Sequence, residues 1–538
     1  MKFGFIIDNR KCIGCHACTT ACKSEHDVPI GVNRTWVKQT EKGEFPNSKR
    51  VFSVLRCNHC TDAPCVEICP TQALFTRKDG IVDFNNDRCI GCKSCMQACP
   101  YDALYIDPDT HTAAKCNYCA HRVDIGLEPA CVNVCPEHAI ISGDMDDPNS
   151  EIAQLLAREQ VTVRKPEKYT GPNVFYINGD SASLTPSETD RQDQYIWGSQ
   201  NKGVGHYARF LEKTTDRKTF EDMVNELSPS SREMSFPPIN PKRSVEVLME
   251  KAKAKRVYDT PDKGILWGWE VAGYVLTKAI SSGVILLLVM ADLLGVKGVT
   301  QEVEYTTVFI SLFFLLLTGI LLVKDLDQPK RFLYVLLRPH WNSWLVRGGY
   351  SITFFGLFVS VWLFGLYFNI ESVVLVARWL SVLAGLMVAV YTAFLFAQAK
   401  GRDFWQSPML VLHMLVHSLM AGSAFFVLIG LVVAFSPSMN GFILLILKIS
   451  TVVNVILIGI ELSVPHATHD SKSVVEMILK GNYSKLFWIG AMLLGNIIPV
   501  LILFVNPQWA FTSALFVLSG IYVTEKIWIE APQRISLT

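Results

Sequence analysis

All sixteen cysteines of this 538-residue chain lie between positions 12 and 135. They form four groups of four: Cys12, Cys15, Cys18 and Cys22; Cys57, Cys60, Cys65 and Cys69; Cys89, Cys92, Cys95 and Cys99; and Cys116, Cys119, Cys131 and Cys135. The chain opens with a short apolar run and no small-residue cleavage site, so nothing indicates export to a compartment where disulfides form. The grouping therefore indicates thiols that bind a metal or a cluster.

The pattern within the groups favours iron–sulfur clusters. In three groups the last cysteine opens a similar phrase, CPTQAL, CPYDAL or CPEHAI, which indicates a duplicated unit. The run C-x2-C-x2-C-x3-C-P places three thiolates on one loop and sends the fourth to a neighbouring cluster, and the first and third groups match it, with Lys23 replacing the proline in the first. Zinc ribbons also use C-x2-C pairs but need no trailing C-P. Four complete groups predict four [4Fe–4S] clusters.

Residues 3–180, which end in GPNVFYING, resemble the four-cluster electron-transfer subunit of membrane-bound molybdopterin oxidoreductases of the polysulfide and dimethyl sulfoxide reductase type. The resemblance implies tandem ferredoxin-like α+β folds over 1–180, a catalytic molybdopterin subunit as partner, and crossed ligation. The implied ligand sets are Cys12, Cys15, Cys18 and Cys135; Cys116, Cys119, Cys131 and Cys22; Cys57, Cys60, Cys65 and Cys99; and Cys89, Cys92, Cys95 and Cys69.

The cysteine-rich part shows no sign of a second chemistry. It has no G-x-G-x-x-G at a strand-to-helix turn, no P-loop and no H-E-x-x-H. The net charge of +1 gives no reason to expect nucleic acid as a partner. We therefore interpret this part as an electron conductor.

The second half of the sequence has the apolar segments of a membrane domain. Residues 181–263 are polar and rich in Pro, Ser and Lys, which predicts a linker with one or two short helices. From 264 to 538 we expect an all-α domain of two four-helix bundles, because eight segments reach the roughly 20 apolar residues that a span needs. These segments are 268–294, 305–323, 349–368, 374–397, 408–435, 441–463, 486–505 and 509–528. Their number and continuity argue against buried core helices.

The basic residues predict an orientation. Lys and Arg concentrate in 241–263 and in the loops after the second, fourth and sixth spans, whereas the opposite loops carry only Lys297 and Arg378. The positive-inside rule then places the cluster domain and both termini on the cytoplasmic side of a bacterial or archaeal membrane.

Two phrases, DLDQPKRFLYVLLRPHWNSWLVRGGY at 325–350 and YTAFLFAQAKGRDFWQSP at 391–408, resemble the quinone-interacting membrane subunit of polysulfide and nitrite reductases, the NrfD/PsrC-like family. This resemblance covers about 265 to 538 and implies a membrane quinone, menaquinone or ubiquinone, as the redox partner in the bilayer. In relatives the two subunits are often separate chains, and here they are one.

Ionisable side chains in or beside spans are costly and are candidates for function. A quinone needs hydrogen-bond donors for its carbonyls and a route for protons. The candidates on the cluster-facing side are Glu270, Tyr274, Lys278, Asp325, His413, His417 and Glu461.

The structural alternative for these candidates is that Lys278 pairs with Glu270, Lys324 pairs with Asp325, and the histidines bond to backbone. A haem is not expected, because His413 and His417 lie on one span. Asp292 and Lys448 are expected to be isolated polar groups in the outer half, acting either as anchors or as the outlet of a proton path.

Three functions follow. The first is a fused electron-transfer and quinone-reactive subunit of a respiratory oxidoreductase complex. The second is a redox-driven proton-pumping module, like the related subunits of alternative complex III. The third is an iron–sulfur redox sensor, which would bind no quinone and for which eight spans are excessive.

Overall fold

A computed structural model of the chain describes residues 1–43, 47–190 and 254–538. Most of the predicted linker, 181–263, lies outside the described residues; its described start contains one short helix, Ser181–Leu184. Two strands in the described ends of that linker join a sheet of the cluster domain: β11 (Thr189–Asp190) pairs with β12 (Ala254–Tyr258), and β12 pairs with β2 (Thr35–Lys42).

The cluster domain consists of short strands and short helices between the cysteine groups. Two four-stranded sheets have the orders β8-β1-β10-β9 and β11-β12-β2-β3, and β4-β5 and β6-β7 form two hairpins. The strands other than β11 and β12 are β1 Phe3–Asp8, β2 Thr35–Lys42, β3 Lys49–Arg56, β4 Leu74–Thr76, β5 Val82–Phe84, β6 Leu104–Ile106, β7 Ala113–Lys115, β8 Ile140–Asp144, β9 Val161–Thr162 and β10 Val174–Ile177. The helices are Ala17–Glu25, Pro64–Glu67, Ser94–Ala98, Ala120–Val123, Ala130–Asn133, Glu151–Arg158 and Ser181–Leu184.

The first and third cysteine groups, which share the C-x2-C-x2-C-x3-C spacing, fold alike. Gly14 and His16 have φ of 71° and 61°, and the equivalent Gly91 and Lys93 have φ of 69° and 60°. Each left-handed pair reverses the chain directly before a short helix that carries the third cysteine of its group. The α+β ferredoxin-like prediction is confirmed.

The described part of the second half contains eight helices long and apolar enough to cross a membrane. They are span 1 Trp269–Leu293, span 2 Gln301–Lys324, span 3 Trp344–Tyr367, span 4 Glu371–Gln398, span 5 Met409–Ile429, span 6 Pro437–Ser463, span 7 Leu486–Val505 and span 8 Ala510–Gln533. Span 7 runs as a π-helix over Leu486–Ile497 and continues as an α-helix to Val505. Short helices at Tyr334–Leu337 and His469–Leu479 lie in the loops after spans 2 and 6.

Spans 1–4 and spans 5–8 form two bundles that meet along span 1. Span 1 packs against spans 2 and 4 of its own bundle and against spans 5 and 8 of the other. Spans 1 and 5 cross backbone to backbone at Gly283 and Gly422: a Cβ on Gly283 would lie 1.9 Å from the carbonyl oxygen of Ser418. Small residues at such a crossing let two helices approach closely within a membrane.

The loop after span 4 and the end of span 8 contact the cluster domain. Lys168 of the cluster domain forms an ion pair with Asp403 of the loop after span 4. At the end of span 8, the amide oxygen of Gln533 accepts from Gln97 Nε2 at 2.6 Å and from the backbone N–H groups of Leu266 and Trp267. One buried amide thus joins a cluster-domain helix, the start of span 1 and the end of span 8.

Candidate redox sites

Two of the four crossed ligand sets line cavities. One cavity is lined by Cys69, Cys89, Cys92 and Cys95, and another by Cys12, Cys15, Cys18 and Cys135. Each cavity combines three thiols of one group with the last thiol of another, which is the implied crossing.

The thiols of each of the other two sets are electrostatic neighbours of one another. Burial raises the pKa of Cys22 well above its usual value, and the thiols of Cys116, Cys131 and Cys119 raise it further. Burial does the same for Cys65, where Cys99, Cys57 and Cys60 are the neighbouring thiols. Buried thiols held side by side ionise readily only when they share a cation, so this donor set fits iron.

Buried polar atoms without a protein partner also gather at the cysteines. They include Thr19 Oγ1, Arg56 Nε and Nη2, Asn58 Nδ2, His59 Nε2 and Ser94 Oγ. Each belongs to a residue next to or between ligand cysteines, and buried donors are rarely left unpaired. A cluster whose sulfides accept these hydrogen bonds would satisfy them. The residues present therefore fit [4Fe–4S] clusters in crossed sets.

The Cys69–Cys89–Cys92–Cys95 set lies against the membrane half. Trp267 Nε1 donates to the carbonyl oxygen of Cys92 at 3.1 Å, and Arg331 Nη1 donates to that of Cys89 at 3.0 Å. His340 Nδ1 lies 2.8 Å from the carbonyl oxygen of Cys69 and must donate, since a carbonyl only accepts. By contrast, Cys15 of the first set is exposed.

A buried network joins spans 5, 6, 7 and 8. His417 lies between Glu525 (Nδ1···Oε1, 2.6 Å) and Asn454 (Nε2···Oδ1, 3.0 Å). Asn454 Nδ2 donates to Asn496 Oδ1 at 2.9 Å, and Asn496 Nδ2 donates to the carbonyl of Ala491 at 2.8 Å. The carbonyl fixes the orientation of both amides, so His417 Nε2 must donate to Asn454. His417 and Glu525 therefore share one further proton between them.

His413 and Glu461 form the second part of this network. His413 Nδ1 lies 3.3 Å from Glu461 Oε2, which also accepts from Trp528 Nε1 at 3.0 Å. The other two polar atoms of the pair, His413 Nε2 and Glu461 Oε1, are buried and have no hydrogen-bond partner among the described residues. Because a buried group without a partner is costly, this pair is available to a ligand.

Lys278 bridges the two bundles. It is 1% exposed, its Nζ donates to the carbonyl oxygens of Val388 and Ala389 in span 4, and it lies 4.7 Å from the centre of the Tyr391 ring. It also interacts electrostatically with Glu525 of span 8.

Three alternatives from the sequence are wrong. Lys278 is not paired with Glu270, Lys324 stacks on Trp269 at 4.2 Å rather than pairing with Asp325, and the ring nitrogens of His413 and His417 face side chains rather than backbone. The expected isolation of Asp292 is also wrong, because Arg378 Nη1 lies 2.6 Å from its carboxylate. Lys448 lies 5.1 Å from the ring of Phe504.

The other predicted residues lie nearer the cluster domain. Tyr274 is buried, with Tyr391 and Asp325 as electrostatic neighbours, and Glu270 is a neighbour of Asp325. Burial raises the pKa of Asp325, which caps the end of span 2, to about 7. Tyr274 and Glu270 are thus both neighbours of Asp325, and Tyr274 is also an electrostatic neighbour of Glu525 in the histidine network.

Sequence reasoning missed four members of the network: Glu525, Trp528, Asn454 and Asn496. Glu525 had a usable signal, since it is an acid inside the predicted last span. The two asparagines are neutral and span 6 gives no pattern that singles them out.

Aromatic rings connect the network to the cysteines. Trp267, whose N–H bonds to Cys92, stacks on Trp405 with ring centres 5.6 Å apart. Trp405 Nε1 donates to the carbonyl of Trp528, whose ring lies 5.6 Å from that of His413. The cysteine set and the His413–Glu461 pair are therefore joined by closely packed side chains.

Comparison with known families agrees with both halves. The family described as "Polysulphide reductase, NrfD" matches residues 260–533, and two models described as "4Fe-4S dicluster domain" match 11–74 and 49–145. A tetrathionate reductase subunit from Salmonella typhimurium is 48% identical over 190 residues, which cover 34% of this chain and 76% of that protein. Protein NrfC of Escherichia coli K12 is 45% identical over 180 residues, covering 33% of this chain and 81% of that protein. The arsenate respiratory reductase iron-sulfur subunit ArrB of Shewanella sp. ANA-3 is 37% identical over 225 residues, covering 33% of this chain and 96% of that protein.

Proposed function

This chain belongs to the polysulphide reductase NrfD family and carries 4Fe-4S dicluster domains ahead of its eight membrane helices, and we propose that it exchanges electrons between a catalytic partner and a quinone in the bilayer. The clusters, when bound, supply one-electron transfer along the first 180 residues. The residues that would hold them are the four crossed cysteine sets.

The quinone proposal depends on two buried atoms that have no hydrogen-bond partner among the described residues, His413 Nε2 and Glu461 Oε1. A quinone carbonyl needs a donor, and His413 Nε2 donates when the imidazole is doubly protonated, with Nδ1–H donating to the Glu461 carboxylate. Reduction also needs two protons, and the proton shared by His417 and Glu525 lies beside this pair, since the two histidine rings are 4.5 Å apart. Lys278 stabilises the charge that Glu525 carries after it gives up a proton.

Quinone turnover by purified protein, with reduced clusters as electron donor, tests this assignment. His413→Ala removes the donor and should lower turnover about 10²-fold while the cluster spectrum stays unchanged. Lys278→Met should also lower turnover. His469→Gln is a matched control, because it alters an exposed histidine in the loop after span 6 whose ring lies 3.3 Å from the Ser473 hydroxyl. Normal turnover in His413→Ala with intact clusters would refute the assignment.

The partner and the side of the membrane are part of the same proposal. We place a catalytic molybdopterin subunit at the Cys12–Cys15–Cys18–Cys135 end, because Cys15 and the neighbouring Ile13 (56% exposed) are accessible there and the opposite end is covered by the spans. The basic loops support a cytoplasmic position for this domain by the positive-inside rule. Copurification from a tagged chain tests the partner, and protease access in sealed vesicles tests the side.

A second candidate function, proton transfer across the membrane, is favoured by polar residues in the outer half. Arg378 of span 4 pairs with both Asp292 and Glu304. Buried hydroxyls follow towards Lys278, where Ser281 and Ser311 bond to each other's backbone carbonyl at 2.7 and 2.9 Å.

Proton uptake by proteoliposomes during quinone turnover tests this second function. Asp292→Asn should lower uptake relative to turnover. Lys448→Met is the control, because Lys448 lies on Phe504 away from these groups. Equal uptake in Asp292→Asn and in the unaltered protein would exclude this route.

A further inference from the structure

One of the four ligand sets receives hydrogen bonds from the membrane half at three of its four cysteines. The donors are Trp267, directly before span 1, and Arg331 and His340, both in the loop after span 2. The same loop is anchored by two backbone bonds, from Asp327 N to Gly91 O and from Gln328 N to Ile90 O. The membrane half thus supplies part of the polar shell around this set.

Arg331 also brings a positive charge. Its guanidinium donates to the carbonyls of Asn86 and Cys89 and is an electrostatic neighbour of the Cys89 thiol. Within the part of the chain that the structure describes, no carboxylate lies within salt-bridge distance of Arg331. Lys93, on the same cysteine loop, is by contrast neutralised by Asp327 at 3.1 Å.

Positive charge and N–H dipoles directed at ligand cysteines stabilise the form of a cluster that carries the extra electron. Arg331 is half-buried, so water screens its charge less than it screens a fully exposed side chain. We propose that the membrane half sets the reduction potential of the cluster held by Cys69, Cys89, Cys92 and Cys95, raising it through Arg331, Trp267 and His340. The proposal rests on the cluster assignment above. A raised potential would favour the presence of the electron on the cluster that adjoins the spans.

The other cations beside ligand cysteines differ from Arg331. Lys263, a neighbour of Cys99, is paired with Asp102 at 2.7 Å. Arg56 contacts Cys131 at 3.2 Å, but it lies within the cluster domain, on β3, and its influence does not depend on the membrane half. The fused membrane domain is therefore a positioning element for one cluster as well as the site of quinone chemistry.

The test is a redox titration of the full-length protein in detergent without quinone, followed by electron paramagnetic resonance. Arg331→Met should move one of four cluster components to a lower midpoint and leave the other three in place. In Arg331→Lys, which keeps the positive charge, the midpoint of that component should stay close to its value in the unaltered protein. Lys330→Met is the matched control, because Lys330 is an exposed neighbouring cation, and it should move nothing.

Two further measurements fix the interpretation. The component that moves in Arg331→Met should be the one that Cys89→Ser alters. Trp267→Phe keeps an aromatic ring and removes the N–H donor. It should shift the same component in the same direction, by a smaller amount than Arg331→Met does. Iron content is measured for every variant, so that Trp267→Phe decides the question if Arg331→Met does not assemble.

Four unchanged midpoints in Arg331→Met with full iron content would overturn the proposal, and so would an equal shift of all four. Neither result would touch the quinone assignment, because the titration contains no quinone. Conversely, normal turnover in His413→Ala would refute the quinone site and leave this inference standing.

Discussion

Replacing Gly283 with alanine tests whether the close crossing of spans 1 and 5 positions the redox network. The added Cβ would lie 1.9 Å from the carbonyl oxygen of Ser418 and 2.9 Å from its carbon, whereas ordinary contacts begin at 3.4 Å. The two backbones must therefore separate by about 1.5 Å, since neither contact is with a flexible side chain. Overpacking of this kind costs about 1–3 kcal/mol.

Separation of spans 1 and 5 would also displace the side chains of the proposed quinone site. Span 1 carries Lys278 and span 5 carries both histidines, and the His413–Glu461 hydrogen bond at 3.3 Å has little length to spare. A misplacement of about 1 Å can lower a rate about 10²-fold. We expect Gly283→Ala to lower quinone turnover by about that factor, to lower the thermal transition of the membrane domain, and to leave the cluster spectrum unchanged.

The matched control is Gly273→Ala in the same helix. Its Cβ would meet only the end of the Leu321 side chain, at 3.2 Å, which can move. Turnover and thermal stability are measured for both variants in the same detergent. Normal turnover in Gly283→Ala, or equal losses in both variants, would refute the reasoning.

Two further predictions concern the cysteines and the acid at the end of span 2. Cys99→Ser should damage the cluster held by Cys57, Cys60 and Cys65, seen as a changed resonance spectrum with one cluster converted or lost; damage confined to the Cys89 group would contradict the crossed sets. Because burial raises the pKa of Asp325 to about 7, the folded protein binds this proton more tightly than the unfolded chain does, so stability should fall as pH rises from about 4 to 7 and then level off. Asp325→Asn should flatten that part of the profile in thermal melts, and an unchanged profile would argue against the buried carboxyl as its cause.

The spans were predictable because hydropathy depends only on local composition. Their ends differ where polar residues begin or extend a helix: span 2 begins at Gln301 rather than at 305, and span 8 continues to Gln533 rather than to 528. Span 5 ends at Ile429 rather than at 435, because Gly430 and the turn before Pro437 stop it within an apolar stretch. A hydropathy average over a window of residues detects none of these helix ends.

The redox site was predictable only in part. Cysteine spacing predicted the cluster domain, since the ligands are dictated by the chemistry of the cluster. The histidines and Lys278 were found because charge in a span is costly. Their partners could not be found in this way, because the pairing of His417 with Glu525 joins residues 108 positions apart, and the asparagines that orient it are uncharged.

In the proposed crossed ligation, the inner two ligand sets lie between the sequence limits of the outer two. The inner two sets, between Cys57 and Cys99, have all their cysteines once Cys99 has left the ribosome. The outer two need Cys12 to Cys22 at one end and Cys116 to Cys135 at the other. In this arrangement a product that stops before Cys116 contains every ligand of the inner pair, whereas both outer sets are incomplete.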